Sequence, residues 1–585
     1  MNSLVRGLCH IRVHESARSD QTWLGAWDGC CSPAHPTNSS SMTSILARSL
    51  SFLVFLSVNL ASAGALASAG ALASAGTLQG GSPTVTVWVD PVLGDDSTGS
   101  TDKGRPFFTI SAAVNFVELL VPLGLREVRL APGEYGSANG EPPISLRRGT
   151  SLIGTSDQTL ACLSGLGDLV TVLWEDVPQP PAFQNIVFRG LGSSTGSGLR
   201  VAGSCTLHGC TFENFDEGVD TSGARVTDCV FTQVNTALNL NGGSLFLDAS
   251  ACTFQDCTRS IALTSAGGLS QVNVQDCRFA GGTSGMFGCF SYDAGADVQI
   301  SRSRFEGLEC VIFSQILFAP NGNFVDTIIS NSVFIGNEVV MKTDNVISAT
   351  TVMSHCTIDG KGVSDSPFSA NGHHAEMGAC ISIGHTVRDD GYIEPQDSYL
   401  QSSPFIGVNG NFTATDPGFL DAAALDYRLH ASSVCVDRGG VANEESDFRG
   451  LTRLVDGDLD GQVALDPGAH ELQTLIVPDS VRLGAPYRLE LNGPPGQTFH
   501  LALSRTGLET VGTQTMYGTF FLPVSSSTRF LNGTYPARGP AVARFTAPLD
   551  PSLIGNRYAF QALTLDAPLQ NHAAWGQAGE FVLQP

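Results

Sequence analysis

A short phrase recurs along the middle of the chain, and its period leaves few folds open. Between Gln184 and Asp359 the sequence writes Ile186-Val-Phe188, Cys210-Thr-Phe212, Cys229-Val-Phe231, Cys252-Thr-Phe254, Cys277-Arg-Phe279, Ser303-Arg-Phe305, Ser332-Val-Phe334 and Cys356-Thr-Ile358. The third positions are separated by 24, 19, 23, 25, 26, 29 and 24 residues. A unit of that length is too short to bury a core alone, so the units must stack and share one, which is the definition of a solenoid. Inside the units apolar and polar residues alternate, as in Gly198-Leu-Arg-Val-Ala202, Ala237-Leu-Asn-Leu-Asn241, Val272-Asn-Val-Gln275 and Val298-Gln-Ile-Ser301. That is the period of a pleated strand with one buried face. Strands that recur once per turn and stack about 4.8 Å apart make a right-handed parallel β-helix.

The two ends of the solenoid carry their own motifs. At the start stand Trp88-Val-Asp-Pro-Val-Leu-Gly-Asp-Asp96, Gly99, Pro106-Phe-Phe-Thr-Ile-Ser-Ala-Ala-Val114 and Leu130-Ala-Pro-Gly-Glu-Tyr135. They predict a strand, a Gly/Asp turn, and a helix from Thr109 to about Leu120, capped by Thr109 or Ser111, that covers the open end of the stack. At the far end stand Asp416-Pro-Gly-Phe419, Asp426-Tyr-Arg-Leu429, Asp437, Asp447-Phe-Arg449, Asp456-Gly-Asp-Leu-Asp-Gly461 and Asp466-Pro-Gly-Ala-His-Glu471. Together these stretches resemble bacterial secreted proteins of the right-handed β-helix, pectin-lyase-like superfamily, and the first is similar to a domain of unknown function that opens many of them. The resemblance implies a fold and leaves activity open. It places the β-helix over 85–472, with a capping motif at 85–135 and closing rungs at 416–472.

Beyond Leu472 the rung pattern stops. Candidate strands follow at Thr474–Val477, Tyr487–Leu491, Thr498–Ser504, Thr519–Val524, Ala541–Ala547, Arg557–Leu565 and Glu580–Leu583, separated by Pro/Gly turns, which predicts a small β-sandwich over 473–585. The fold class expected is therefore all-β: a right-handed parallel β-helix solenoid followed by a C-terminal β-sandwich.

At the other end, Met42, Arg48, the apolar run Leu50 to Leu60 and Ala61-Ser-Ala63 have the layout of a secretory signal peptide over 42–63. An 11-residue core is too short to span a bilayer, so the reading is export to a secreted or cell-surface location without a transmembrane segment. Residues 1–41 read as a non-native extension ahead of the true start, and the six-residue repeats from Ser62 read as a low-complexity tether over 64–84.

Only 3 of the 31 basic residues are lysine, and the formal net charge is −24. Phosphate binding needs a basic stripe, so nucleic acid is excluded as the expected partner. Export with this fold points instead to a polysaccharide partner. Cys210, Cys229, Cys252, Cys277 and Cys356 share one place in the rung, which predicts an inward ladder of free, buried thiols, with short-loop disulfides Cys205 to Cys210 or Cys252 to Cys257 as the alternative.

For chemistry, the stretch from 355 to 390 gathers His355, Lys361, Asp365, His373, His374, Glu376, His385, Arg388, Asp389 and Asp390. A His or Arg base beside carboxylates suits β-elimination of a uronate, and paired carboxylates suit hydrolysis. His355, His373, His374, Glu376, His385, Arg388, Asp389 and Asp390 are thus the candidate catalytic set. Against the enzyme families of this fold the chain departs: Gly384-His385 precedes Asp389-Asp390, the reverse of polygalacturonases, their Arg-Ile-Lys is missing, and so is the Trp-Ile-Asp-His of pectate lyases. The expectation is a non-catalytic polysaccharide-binding protein, with a polysaccharide lyase or glycoside hydrolase, or a structural adhesive protein, as alternatives. Asp456, Asp458 and Asp460 at alternate positions before Gly461 have the form of half a calcium loop, although Pro467 stands where the closing Glu would be.

Overall fold

The computed structural model describes residues 84–585 apart from 122–123, 148, 157–159, 174–178, 193–195, 266–267, 292–293, 319–323, 345–347, 362–366, 371–372, 388–392, 441–445, 454, 461, 516–517, 526, 538 and 566–572. The extension, signal peptide and tether expected before residue 84 lie outside the described residues. The solenoid is built from three parallel sheets of 13, 12 and 10 strands, one strand per rung in each. In one turn Ser204–His208 lies in the 13-stranded sheet, Thr211–Glu213 in the 12-stranded sheet and Glu217–Thr221 in the ten-stranded sheet, before Gly223–Thr227 returns to the first.

The recurring phrase is the short strand of the 12-stranded sheet. Phe188, Phe212, Phe231, Phe254, Phe279, Phe305 and Phe334 are paired in register from rung to rung. Their rings stack inside the solenoid with centroids 4.6 to 5.1 Å apart and planes within 7°. That distance is essentially the strand spacing, so the backbone ladder sets the ring contact and the column needs no adjustment to form.

What bends each rung is a pair of single-residue corners. The residue before each ladder Cys or Ser has a left-handed backbone: φ is 46° to 54° at Asp228, Ala251, Asp276, Arg302, Asn331, His355 and Ala379. Five positions later a second left-handed residue follows, at Gln233, Asp256, Gly281, Gly307, Gly336 and Gly384. Such a conformation costs a non-glycine residue about 1 to 2 kcal/mol, which Arg302 and His355 bear because the strands on either side are locked into their ladders.

Directly after the first corner, the inward ladder runs Cys210, Cys229, Cys252, Cys277, Ser303, Ser332, Cys356, Cys380 and Ser398, all buried. The cysteines are free, as is each of Cys205 and Cys257. Each thiol or hydroxyl donates to the carbonyl two residues before it, for instance Cys252 Sγ to Ser250 O at 3.2 Å and Ser303 Oγ to Ser301 O at 2.9 Å. Cys and Ser are interchangeable here because both present a small body and one donor. Burial pushes the Cys205 thiol up to about 12, which removes it as a nucleophile.

At the N-terminal end the helix Ile110–Leu120 begins behind Thr109, whose Oγ1 accepts from Ala112 N at 3.2 Å. The buried Glu141 carboxylate accepts from the Ile110 and Ser111 amides at 2.7 and 2.9 Å, satisfying two more first-turn donors. Ile110, Ala113, Val114 and Val117 face the solenoid core.

The far end differs from closing rungs. The regular sheets stop at Ile393–Gln396 and Tyr399–Leu400. Within 416–472, Phe419–Asp421 and Asp426–Leu429 pair only with each other, antiparallel. This segment instead lies along the outside of the 12-stranded sheet: Tyr427 Oη donates to Asp359 Oδ2 at 2.7 Å, Arg453 Nε to Asn331 Oδ1 at 2.8 Å and Ala469 N to Thr357 Oγ1 at 2.9 Å. The outward residues of that sheet give the reason. In early rungs at least one of each pair is polar, as in Val230 and Thr232, Thr253 and Gln255 or Arg304 and Glu306, whereas both are apolar at Val333 and Ile335 and at Ile381 and Ile383. Val333 and Ile335 pack with Tyr427 and Ala469, and Ile381 packs with Leu429, Cys435 and Leu472. An apolar sheet face of this kind has to be covered.

Residues 475–584 form sheets of three and five strands, mainly antiparallel, with Leu489, Leu491, Leu501, Phe560 and Phe581 in the core they share. Every strand expected from the turn pattern is present, with Ala573–Gln584 longer and Gly518–Phe520 shorter than expected. Ser480–Arg482, Thr513–Thr515 and Thr528–Thr534 are additional. No helix among the described residues is long and apolar enough to cross a membrane.

Candidate functional site

The solenoid divides the catalytic candidates among different parts of the rung. His355 is a first-corner residue, buried, in line with Asn331 and Ala379. His385 directly follows the second corner at Gly384, where other rungs bury Phe215, Val234, Cys257, Leu308 and Asn337. Both are therefore frame positions that the repeat fills with whatever side chain fits inward. Lys361 donates from Nζ to Ala422 O at 2.7 Å and pairs with Asp359 at 3.1 Å, holding the closing segment to the sheet.

His373, His374 and Glu376 lie on the strand His373–Gly378 of the 13-stranded sheet. Ala375 and Met377 of that strand are buried, so His374 and Glu376 face out. His374 Nε2 is 3.4 Å from Glu394 Oε1, and its Nδ1 is 3.9 Å from Glu376 Oε1. Glu394, on the next strand, belongs to this group and was missed, because the candidate stretch ended at 390. Asp365, Arg388, Asp389 and Asp390 lie outside the described residues. What comes together is one exposed imidazole between two carboxylates.

The acidic turn gathers a different trio from the alternate aspartates. Carboxylate oxygens of Asp437, Asp456 and Asp458 all lie within 4.8 Å of one another. Asp460 is turned to the backbone: its N–H donates to Asp456 Oδ1 and Asp458 Oδ1 at 3.1 and 3.0 Å, and its own Oδ1 accepts from Gln462 N at 2.7 Å. Asp437, from the preceding turn, takes the third place. Its Oδ1 is buried without a hydrogen-bond donor among the described residues. Burial and the Asp458 and Asp456 charges push its carboxyl up to about 6. Three convergent hard oxygen donors fit a calcium ion, which would need further oxygens from backbone or water.

Behind this turn the closing segment encloses charge. Arg453 is fully buried, with Nη1 donating to Glu471 Oε2 at 3.2 Å and Nη2 to Gly468 O at 2.8 Å. Asp466, also fully buried, accepts from the Asp437 and Leu472 amides at 2.7 and 2.6 Å. Burial, with the neighbouring carboxylates, pushes Asp466 up to about 7 and Glu471 upward as well, against the pull of Arg453.

On the ten-stranded sheet an outward column runs through Arg200, Asp220, Asn239 and Ala262, and on to Phe313 and Lys342. Arg200 is the hub at its start, 2.7 Å from Asp168 and 3.2 Å from Asp220. Asn239 and Asn241 donate to Glu217 and Asp220 at 2.8 and 3.0 Å. At the other end the Lys342 ammonium lies 5.6 Å from the centre of the Phe313 ring. The result is a face with ordered polar groups at strand spacing over Arg200, Asp220 and Asn239, and a cation beside an aromatic ring at its far end.

No family model matches the chain, and no curated protein matches it. Among solved structures it is similar to the tailspike protein of an Acinetobacter phage, at 10% identity over 80% of this chain and 84% of that one, with a TM-score of 0.27. It is also similar to the enzymatically active domain of tailspike protein 2 of bacteriophage CBA120, at 10% identity over 85% of this chain and 76% of that one, with a TM-score of 0.21.

Proposed function

We propose that this is an exported, non-catalytic β-helix protein that binds an extracellular or envelope polysaccharide along the outer face of its ten-stranded sheet. The observation that carries the reading is the outward column from Arg200 to Lys342, which sets Arg200, Asp220 and Asn239 one strand spacing apart at one end and places the Lys342 ammonium beside the Phe313 ring at the other. A polymer with a repeating hydroxylated unit suits such a face better than a small molecule does, because many weak contacts add along its length.

The test is to pass the protein, starting at Gly64, over immobilised neutral and acidic polysaccharides while assaying for new reducing or unsaturated ends. Retention without cleavage that weakens in Phe313→Ala and Asn239→Ala is the expected result. New ends that disappear in His374→Ala would replace this reading with a lyase or hydrolase acting at His374, Glu376 and Glu394. Neither retention nor cleavage would leave the adhesive role.

Export rests on the Met42 to Ala63 pattern, and a mature N-terminus near Gly64 checks it by mass spectrometry; recovery of residues 1–41 in the mature protein would refute it. Calcium at Asp437, Asp456 and Asp458 rests on the converging oxygens and is checked by a calcium-dependent rise in melting temperature.

A further inference from the structure

The chain is strongly acidic, yet arginine supplies most of the charged groups that line one groove. Where the closing segment meets the β-sandwich, Arg428, Arg449, Arg482, Arg488, Tyr487 and Glu490 line a space of about 460 Å³. Among 55 acidic and 31 basic residues in the chain, four guanidinium groups at one groove with a single lining carboxylate is a local reversal of sign.

The groove is ordered from behind. Glu490 is buried, and its carboxylate holds Arg428 Nη1 at 3.2 Å and Arg488 Nη2 at 3.0 Å. Asp426 takes Arg428 Nε and Nη2 at 2.8 and 2.7 Å. The fully buried Asp447 takes Arg449 Nε and Nη2 at 3.2 and 3.1 Å. A guanidinium has five N–H donors, so Arg428, Arg449 and Arg488 each keep donors beyond these bonds. Arg482 is exposed and makes no ion pair among the described residues. Against Asp426, Asp447 and Glu490, the four arginines leave an excess of positive charge in the groove. Its walls also contain Ile476, Pro478 and Pro486, which offer apolar surface to the C–H face of a sugar.

We propose that this groove binds an anionic glycan, with the guanidinium groups taking the carboxylates of uronate units. This rests on the polysaccharide reading and gives it a substrate class. An acidic glycan would be repelled by most of this molecule, and the groove supplies the cationic contact that repulsion otherwise denies it. Planar arginine forks suit carboxylates bidentately, whereas lysine, nearly missing from the chain, does not.

Titration calorimetry at low salt tests the proposal, using the protein from Gly64 with an oligogalacturonate, a neutral malto-oligosaccharide of equal length, and inorganic sulfate. Oligogalacturonate binding that falls at least tenfold in the Arg482→Glu variant, with an unchanged melting temperature, is expected, together with a steep loss as salt rises. An Arg482→Lys/Arg488→Lys variant that folds equally well and binds more weakly would further support the fork geometry. Binding that survives the charge reversal overturns the groove while leaving polysaccharide binding intact. Retention of neutral polymers alone does the same. Sulfate binding as tight as the oligogalacturonate overturns the glycan assignment in favour of a simple anion patch. A protein retained by no glycan of either kind overturns the underlying reading as well.

Discussion

The rungs and the closing segment bury their residues by opposite means. In the rungs two inward columns are filled by translation, phenylalanine over phenylalanine and cysteine over cysteine or serine, each contact set by the strand spacing. In 416–472 nothing repeats, and the interior is held by a buried arginine and three buried acids, Asp447, Asp466 and Glu471. A repeated apolar core spreads its stability over many equivalent contacts, so one defect is shared by neighbours. A buried ionic network concentrates it, because removing one partner strands the others without compensation.

That contrast is broken most directly at Arg453. Arg453→Ala should destabilise by about 3 to 5 kcal/mol, read as the appearance of a separate early unfolding phase in calorimetry or as a lowered overall midpoint. If Arg453→Met with Glu471→Leu recovers most of that loss, the network is there for geometry more than for net stability. Next is the ladder: Phe254→Leu gives up two stacked contacts and should cost about 2 kcal/mol in urea unfolding. A value near that of the Arg453 variant would erase the distinction.

How each region could be read from sequence follows from the same contrast. The rungs were legible because the buried column uses one residue type, Phe, at a near-constant place, and the helix cap at Thr109 and the free thiols followed from local chemistry. The corners were not, since the left-handed places hold Asp, Ala, Arg, Asn, Gln and His as well as Gly, so residue type carries little signal. That is why His355 and His385 read as chemistry when the fold uses them as frame. The closing segment left a trace in the change from Arg304 and Glu306 to Val333 and Ile335, which becomes meaningful only once the outward register is known. Asp437 was unreadable as a partner of Asp456, because the turn that joins them is a tertiary contact.

A third prediction concerns pH. Burial pushes the folded Asp437 and Asp466 carboxyls up to about 6 and about 7, against about 4 when unfolded, so the folded chain holds more protons across that interval. Their contribution to stability is therefore greatest on the acid side and declines as pH rises from about 4 to about 7. Asp437→Asn should flatten the lower part of that decline in melting temperature. A bound calcium replaces the proton on Asp437, so added calcium should raise the melting temperature more at pH 8 than at pH 5. An equal rise at both would remove Asp437 from the ion's ligands.

The smallest effect is expected at the thiol ladder. Cys252→Ser copies what Ser303 and Ser332 already do, donating to the carbonyl two residues back, and should shift stability by less than about 1 kcal/mol in urea unfolding. A large loss would show that sulfur packing, not the donor, fills that place.

The paired corners also dictate where this molecule can change. The step between corners is five positions from Asp228 to Gln233, from Asp276 to Gly281 and from Asn331 to Gly336, and six from His355 to Lys361, so the difference between rungs of 19 and 29 residues falls on the remaining arc. Growth by insertion is thereby confined to one edge, between the ten-stranded and the 13-stranded sheets. Lineages can elaborate that edge into new recognition surfaces while the corners count out the frame unchanged, and an engineer grafting foreign peptides has the same edge to work with.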